Sequence, residues 1–154
     1  MSTVKLSRVL AISALLLLTS CGAEPVDNHP GQPVTKRKAI FKQIMRALEP
    51  LGMVARNRQD YDRAAFLAGA KELKQLATQP WVYFTPDSNY PPTRAKAEVW
   101  QQPAEFSQAR QQFQASAEQL VTAAERGDLD AIRPVLNEVE KNCQSCHKKF
   151  RSGT

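Results

Sequence analysis

Nine residues near the C-terminal end, "CQSCHKKFR" from Cys143 to Arg151, hold the densest chemistry in the chain. Two cysteines three apart, with a histidine directly after the second, can hold a haem, join a zinc site or form a redox dithiol. A redox dithiol needs a depressed cysteine pKa, which a helix N-terminus usually supplies. Here the motif ends a helical pattern, where the dipole opposes a thiolate, and no βαβ pattern surrounds it. Zinc needs four ligands, yet Cys143, Cys146 and His147 come from little more than one turn. The other histidine, His29, falls in a proline-rich linker. Haem fits each feature. Cysteines at i and i+3 face the same way, so both sulfurs can add to the vinyl groups of one porphyrin, and His147 can turn its imidazole towards the iron. One covalent haem c is the expected cofactor; zinc and the dithiol are the alternatives.

The motif must be positioned by helices. Apolar residues recur every three or four positions in four segments, from about Thr35 to Arg56, Tyr61 to Gln79, Pro103 to Arg126, and Leu129 to Phe150. The last runs Leu129, Ile132, Leu136, Val139, Cys143, Cys146, Phe150, which puts the cysteines on the core-facing stripe. Gly127 stops the third helix and Asp128 can cap the fourth. Pro134 should kink the fourth helix or mark a new first turn. Between the second and third lies "PWVYFTPDSNYPPTRAKAEVWQQ", a long loop rich in proline and aromatics, and loops of that length usually carry function. No segment alternates with period two. The fold class expected is all-α, an antiparallel four-helix bundle over residues 35–154 whose C-terminal helix holds the haem.

The N-terminus carries an address. Lys5 and Arg8 precede a ten-residue apolar run, Val9 to Leu18. As a helix that run rises about 15 Å, half of the roughly 30 Å needed to cross a bilayer core. Residues 1–20 therefore read as an export signal. "LTSC", Leu18 to Cys21, resembles a bacterial lipobox, so Cys21 is the expected lipid attachment. Residues 21–34 read as a flexible tether, with His29 a solvated linker residue. The expected location is periplasmic, anchored to a bacterial membrane. Losing residues 1–20 lowers the net charge from +6 to +4. No basic run is interleaved with aromatics, so nucleic acid is not an expected partner.

Residues from about Thr35 to Arg151 resemble the cytochrome c′ family, the four-helix-bundle class of c-type cytochromes. The resemblance rests on CxxCH near the C-terminus followed by Phe150 and Arg151, on "QPWVYFTPDSNY", "TRAKAEVW" and "ERGDLDAI", and on "RKAIFKQI" in the first helix. It departs from the family in its lipobox, in Pro134, and in Phe41 at a position often held by leucine or methionine. The resemblance implies thioethers at Cys143 and Cys146, an axial bond from His147, and Phe41 over the open haem face. It places Arg151 near the proximal face, Arg37 and Lys38 near a haem propionate, and Trp81, Phe84 and Trp100 around the pocket. It also allows a homodimer through the first two helices.

Three functions compete. A five-coordinate haem would bind nitric oxide or carbon monoxide. A six-coordinate haem, with Met45 as second ligand and Met53 more distant, would be a low-spin electron carrier with an envelope redox partner. An enzyme would need distal groups that move protons. No distal histidine is evident, so a non-enzymatic protein is expected.

Overall fold

The computed structural model describes residues 26–153. The expected export signal and Cys21 lie outside the described residues. Five α-helices follow: α1 (Pro33–Ala55), α2 (Arg63–Leu76), a short α3 (Glu98–Gln101), α4 (Pro103–Arg126) and α5 (Leu129–Phe150), with a 3-10 turn at Pro80–Tyr83. The chain punctuates them with ordinary stop and start signals. Asp62 accepts from the Ala65 amide at 2.9 Å, and Asp128 accepts from Asp130 at 3.0 Å and Ala131 at 3.4 Å. Both satisfy donors that a first turn leaves unpaired. Gly127 ends α4 at φ 77°, and a Cβ there would also meet the Arg63 side chain at 2.6 Å.

The four long helices close a bundle: α5 packs along α4, α4 along α2, α2 along α1, and α1 meets α5. Leu73, Leu120, Ile132, Leu136 and Val139 are wholly buried at its centre. Burial stabilises each such side chain by about 1.5–3 kcal/mol. Helix α2 is shorter than its sequence pattern suggests, because Ala77 ends it and Pro80 opens the 3-10 turn. Pro134 does not divide α5, which runs unbroken from Leu129 to Phe150. It lies in the second turn and is exposed, so its ring costs one early hydrogen bond without facing the core. Pro50 sits inside α1 in the same exposed manner.

Residues 27–34 of the span expected as a tether are structured. Helix α1 begins at Pro33, and Asp27 is only 3% exposed. Its carboxylate accepts from the Thr35 amide at 2.9 Å, the Tyr90 hydroxyl at 2.8 Å and the His29 amide at 3.3 Å. His29 is not a free linker residue. Its ring stacks on Tyr90 at 4.6 Å and its Nε2 lies 3.5 Å from Asp87. Residues 27–32 thus form a strap on the long loop, an interaction carried by side chains far apart in sequence.

Burial raises the Asp27 pKa and the hydrogen bonds from Thr35, Tyr90 and His29 lower it; the net direction is down. A carboxylate depressed by folding contributes stability above its unfolded pKa of about 3.9, and that contribution is lost as pH falls through the lower folded value. Hydrogen exchange at the Thr35 amide should therefore stay protected at neutral pH and lose protection below about pH 4. Asp27→Asn should reduce the neutral-pH protection and flatten that acid dependence. An unchanged exchange profile in the variant would exclude the strap.

Candidate functional site

Helix α5 supplies the reactive residues because its 3-4 rhythm continues past the core. Ile132, Leu136 and Val139 are at most 1% exposed and Phe150 is 4% exposed. Between them, Cys143, Cys146 and His147 are half-buried. The apolar stripe thus continues while its cover thins over about one turn, at the place where two thiols and an imidazole occur. Cys143 still packs against the main core.

The end of α5 is held by the long loop. Lys96 donates its amide to the Phe150 carbonyl at 2.9 Å and its ammonium to the Lys148 carbonyl at 3.1 Å. The Arg151 amide donates to the His147 carbonyl at 2.9 Å, and Ala95 and Arg151 form an isolated antiparallel bridge. These bonds satisfy carbonyls that a helix end leaves open, and they fix the turn that carries His147.

Electrostatics favour neutral donors. Burial, the neighbouring Cys146 and Glu140 push the Cys143 thiol up to about 11, and burial raises Cys146 as well. A redox dithiol needs the opposite shift. Burial lowers the His147 pKa, and the nearby Arg151 charge lowers it further. That keeps the imidazole in its ligating, neutral form. Arg151 is accordingly close to His147. Zinc lacks donors: among the described residues no three His, Cys, Asp or Glu side chains group as a metal-ion site. Two protonated thiols at i and i+3, with a neutral imidazole beside them, suit thioether attachment and one axial bond.

An aromatic wall joins α1, the long loop, α4 and the end of α5. Phe41 on α1 meets Trp81 edge-on at 5.8 Å and Phe84 at 6.4 Å. Trp81 meets Phe106 on α4 at 5.9 Å, and Phe106 meets Phe150 on α5 at 5.2 Å. Trp100 joins through Phe84 at 6.4 Å. Phe41, Trp81, Phe84, Trp100 and Phe106 are all half-buried. Phe84 is the hub of this wall, meeting Phe41, Trp81, Trp100 and Phe106; sequence reading missed Phe106 as a member, although its place on the α4 stripe was the available signal.

Arg37 is tied into the long loop. It is 3% exposed, and its NH1 donates to the Tyr83 carbonyl and Ser88 Oγ, each at 2.8 Å. NH2 donates to the Ser88 carbonyl at 2.9 Å and Thr93 Oγ1 at 2.7 Å. Phe84 lies 4.5 Å from the guanidinium carbon. All four terminal N–H groups serve the loop, so Arg37 is not part of a solvated basic patch. Lys38 is half-buried one residue further on. Ser88 and Thr93, the loop partners, show no periodicity by which sequence could have flagged them.

Met45 is 56% exposed on α1, and Met53 is half-buried near the helix end. Neither belongs to the aromatic wall.

Comparison with known proteins bears on the same residues. The family model described as Cytochrome C′ matches residues 32–151. A cytochrome c′ of Alcaligenes xylosoxydans xylosoxydans is 35% identical over 122 residues, covering 79% of this chain and 94% of the relative. One from Rhodospirillum rubrum is 28% identical over 153 residues, covering 96% and 99%. A solved carbon-monoxide-bound variant of cytochrome c prime from Alcaligenes xylosoxidans matches with a TM-score of 0.77 at 29% identity, over 83% of this chain and all of that one. A nitric oxide complex of another variant also gives 0.77 at 29% identity, over 82% and 98%. Cytochrome c′ proteins carry one covalently bound haem c, and the half-buried Cys143, Cys146 and His147 have the chemistry to hold it. With its four-helix bundle, its C-terminal CxxCH helix and matches along nearly the whole of these relatives, the chain belongs to the cytochrome c′ family.

Proposed function

We propose that this chain binds nitric oxide or carbon monoxide in the bacterial cell envelope, through a haem c held by thioethers at Cys143 and Cys146 and by His147. The observation that carries the reading is the placement of the two rival side chains on α1. Phe41 is half-buried in the aromatic wall, against Trp81 and Phe84, whereas Met45 is 56% exposed. When bound, the haem would supply an iron that His147 could ligate and that could take a diatomic gas. Phe41 has no lone pair to give a metal, so it offers the iron no second protein ligand and excludes water. Phe41, Phe84 and Phe106 carry no hydrogen-bond donor and the Trp81 indole N–H donates to the Ala77 carbonyl at 2.6 Å, so none is available to bound dioxygen, which favours nitric oxide and carbon monoxide. The same side chains give an enzyme no acid or base to work with. The relatives solved with carbon monoxide and nitric oxide support this choice of ligands.

Electron exchange with an envelope partner is compatible with such a site. A low-spin carrier using Met45 would have to turn that side chain inwards from solvent. Export and anchoring through Cys21 complete the proposal.

Haem should remain with the polypeptide through acid–acetone extraction, and Cys143→Ala with Cys146→Ala should abolish that retention. Complete extraction from the unaltered protein would overturn the attachment.

Optical spectra at neutral pH should show a five-coordinate, high-spin haem in both oxidation states. Phe41→Ala should speed carbon monoxide binding about tenfold or more, roughly 1.4 kcal/mol off the entry barrier. A low-spin spectrum lost on Met45→Ala would assign the sixth position to Met45 instead.

Cys21→Ser should leave the haem spectrum unchanged and move the protein from the membrane pellet to the soluble fraction. A substituted protein that still pellets at high salt would refute the lipid anchor.

A further inference from the structure

Arg110 is a cation of α4 that the site as described does not use. It stands one turn after Phe106 and three residues before the buried Phe113, on the core-facing side of the helix, and is half-buried. Its Nε is shielded from solvent and has no hydrogen-bond partner. Its NH2 reaches Ser107 Oγ at a long 3.4 Å. The glutamates on either side along α4 do not neutralise it, since Glu105 pairs with Lys149 and Glu118 with Lys74. A shielded N–H without an acceptor costs about 1–3 kcal/mol, so its retention on a core-facing stripe implies an acceptor supplied by something else.

The register between α4 and α5 shows where that acceptor lies. Glu105 meets Lys149, and seven residues along α4 the Gln112 carbonyl accepts from Asn142 at 3.4 Å, seven residues back along α5. In this antiparallel register Arg110 is level with Gln144, between Cys143 and Cys146. The unpartnered donor is therefore at the height of the two thiols, which is the height of the haem.

We infer that Arg110 is a positioning residue for the haem, with its Nε–H donating to an electron-rich group of the porphyrin and its charge held beside the ring. The inference rests on the attachment at Cys143 and Cys146 proposed above. Reduction adds one electron to the iron and removes one unit of positive charge from the haem. A fixed cation beside the ring therefore favours the ferrous form, the form that takes carbon monoxide.

The test is a spectroelectrochemical titration of the purified holoprotein, Arg110→Gln and Arg110→Lys, with acid–acetone retention measured on the same samples. Arg110→Gln should lower the potential by about 59 mV, a tenfold shift towards the ferric form for a one-electron couple. Arg110→Lys, which keeps the charge, should stay near the unaltered value. An unchanged potential in Arg110→Gln with haem retained overturns this inference alone, while haem extracted from the unaltered protein overturns the attachment and this inference with it. Should either variant fail to accumulate, the unaltered protein labelled with 15N at arginine Nε decides. The Arg110 Nε–H signal should be strongly displaced in the paramagnetic ferric state and return to the ordinary range in the ferrous carbon monoxide complex. An Nε–H signal that is ordinary in both states places Arg110 away from the haem and overturns the proposal.

Discussion

One buried guanidinium holds the haem end of this bundle together. Taking a charge out of water is costly unless its hydrogen bonds are replaced, and Arg37 replaces them with four acceptors from Tyr83, Ser88 and Thr93. Phe84 and Trp100 add their ring faces. A loop of more than twenty residues without a sheet or a long helix has few ways to satisfy its own carbonyls, so the side chain and the loop solve each other's problem. Everything at this end then attaches to the same loop. Tyr90 receives the Asp27 strap, Trp81 and Phe84 belong to the aromatic wall, and residues 94–96 hold the last turn of α5.

That arrangement changes what Arg37 means for a haem. The family resemblance places it at a propionate, and a carboxylate reaching this corner would have to share a guanidinium already used by the loop. Seating the haem and fastening the loop are therefore linked through one side chain. The strap extends the link towards the N-terminus, because the Asp27 carboxylate that accepts from Tyr90 also caps the Thr35 amide at the start of α1.

The parts legible in the sequence are those that obey a period or a local rule. The helix stripes, the Asp128 cap, the Gly127 stop and the CxxCH spacing follow from neighbours within one or two turns. Their positions in the structure differ from the sequence reading by a residue or two, apart from the early end of α2. What sequence could not show depends on contacts across the chain. Asp27 is buried by Tyr90, 63 residues away, and Arg37 by Ser88, 51 residues away; neither signal has a period. Arg110 is a mixed case: its place on the α4 stripe is readable, but the lack of a partner appears only once the helices are packed.

The two sides of the candidate site are built by different physics, which explains why one was easier to read than the other. Cys143, Cys146 and His147, the residues proposed for attachment and iron ligation, lie within five consecutive residues of α5, so their mutual geometry is fixed by helix spacing alone. The opposite side is assembled from α1, the long loop and α4, whose rings meet at 5.0–6.4 Å without any covalent constraint. A change at Phe41 alters packing and access but leaves attachment on α5 untouched. On the function proposed above, coordination and ligand choice are in this way separable: α5 would hold the haem, and the aromatic wall would set what can reach its iron.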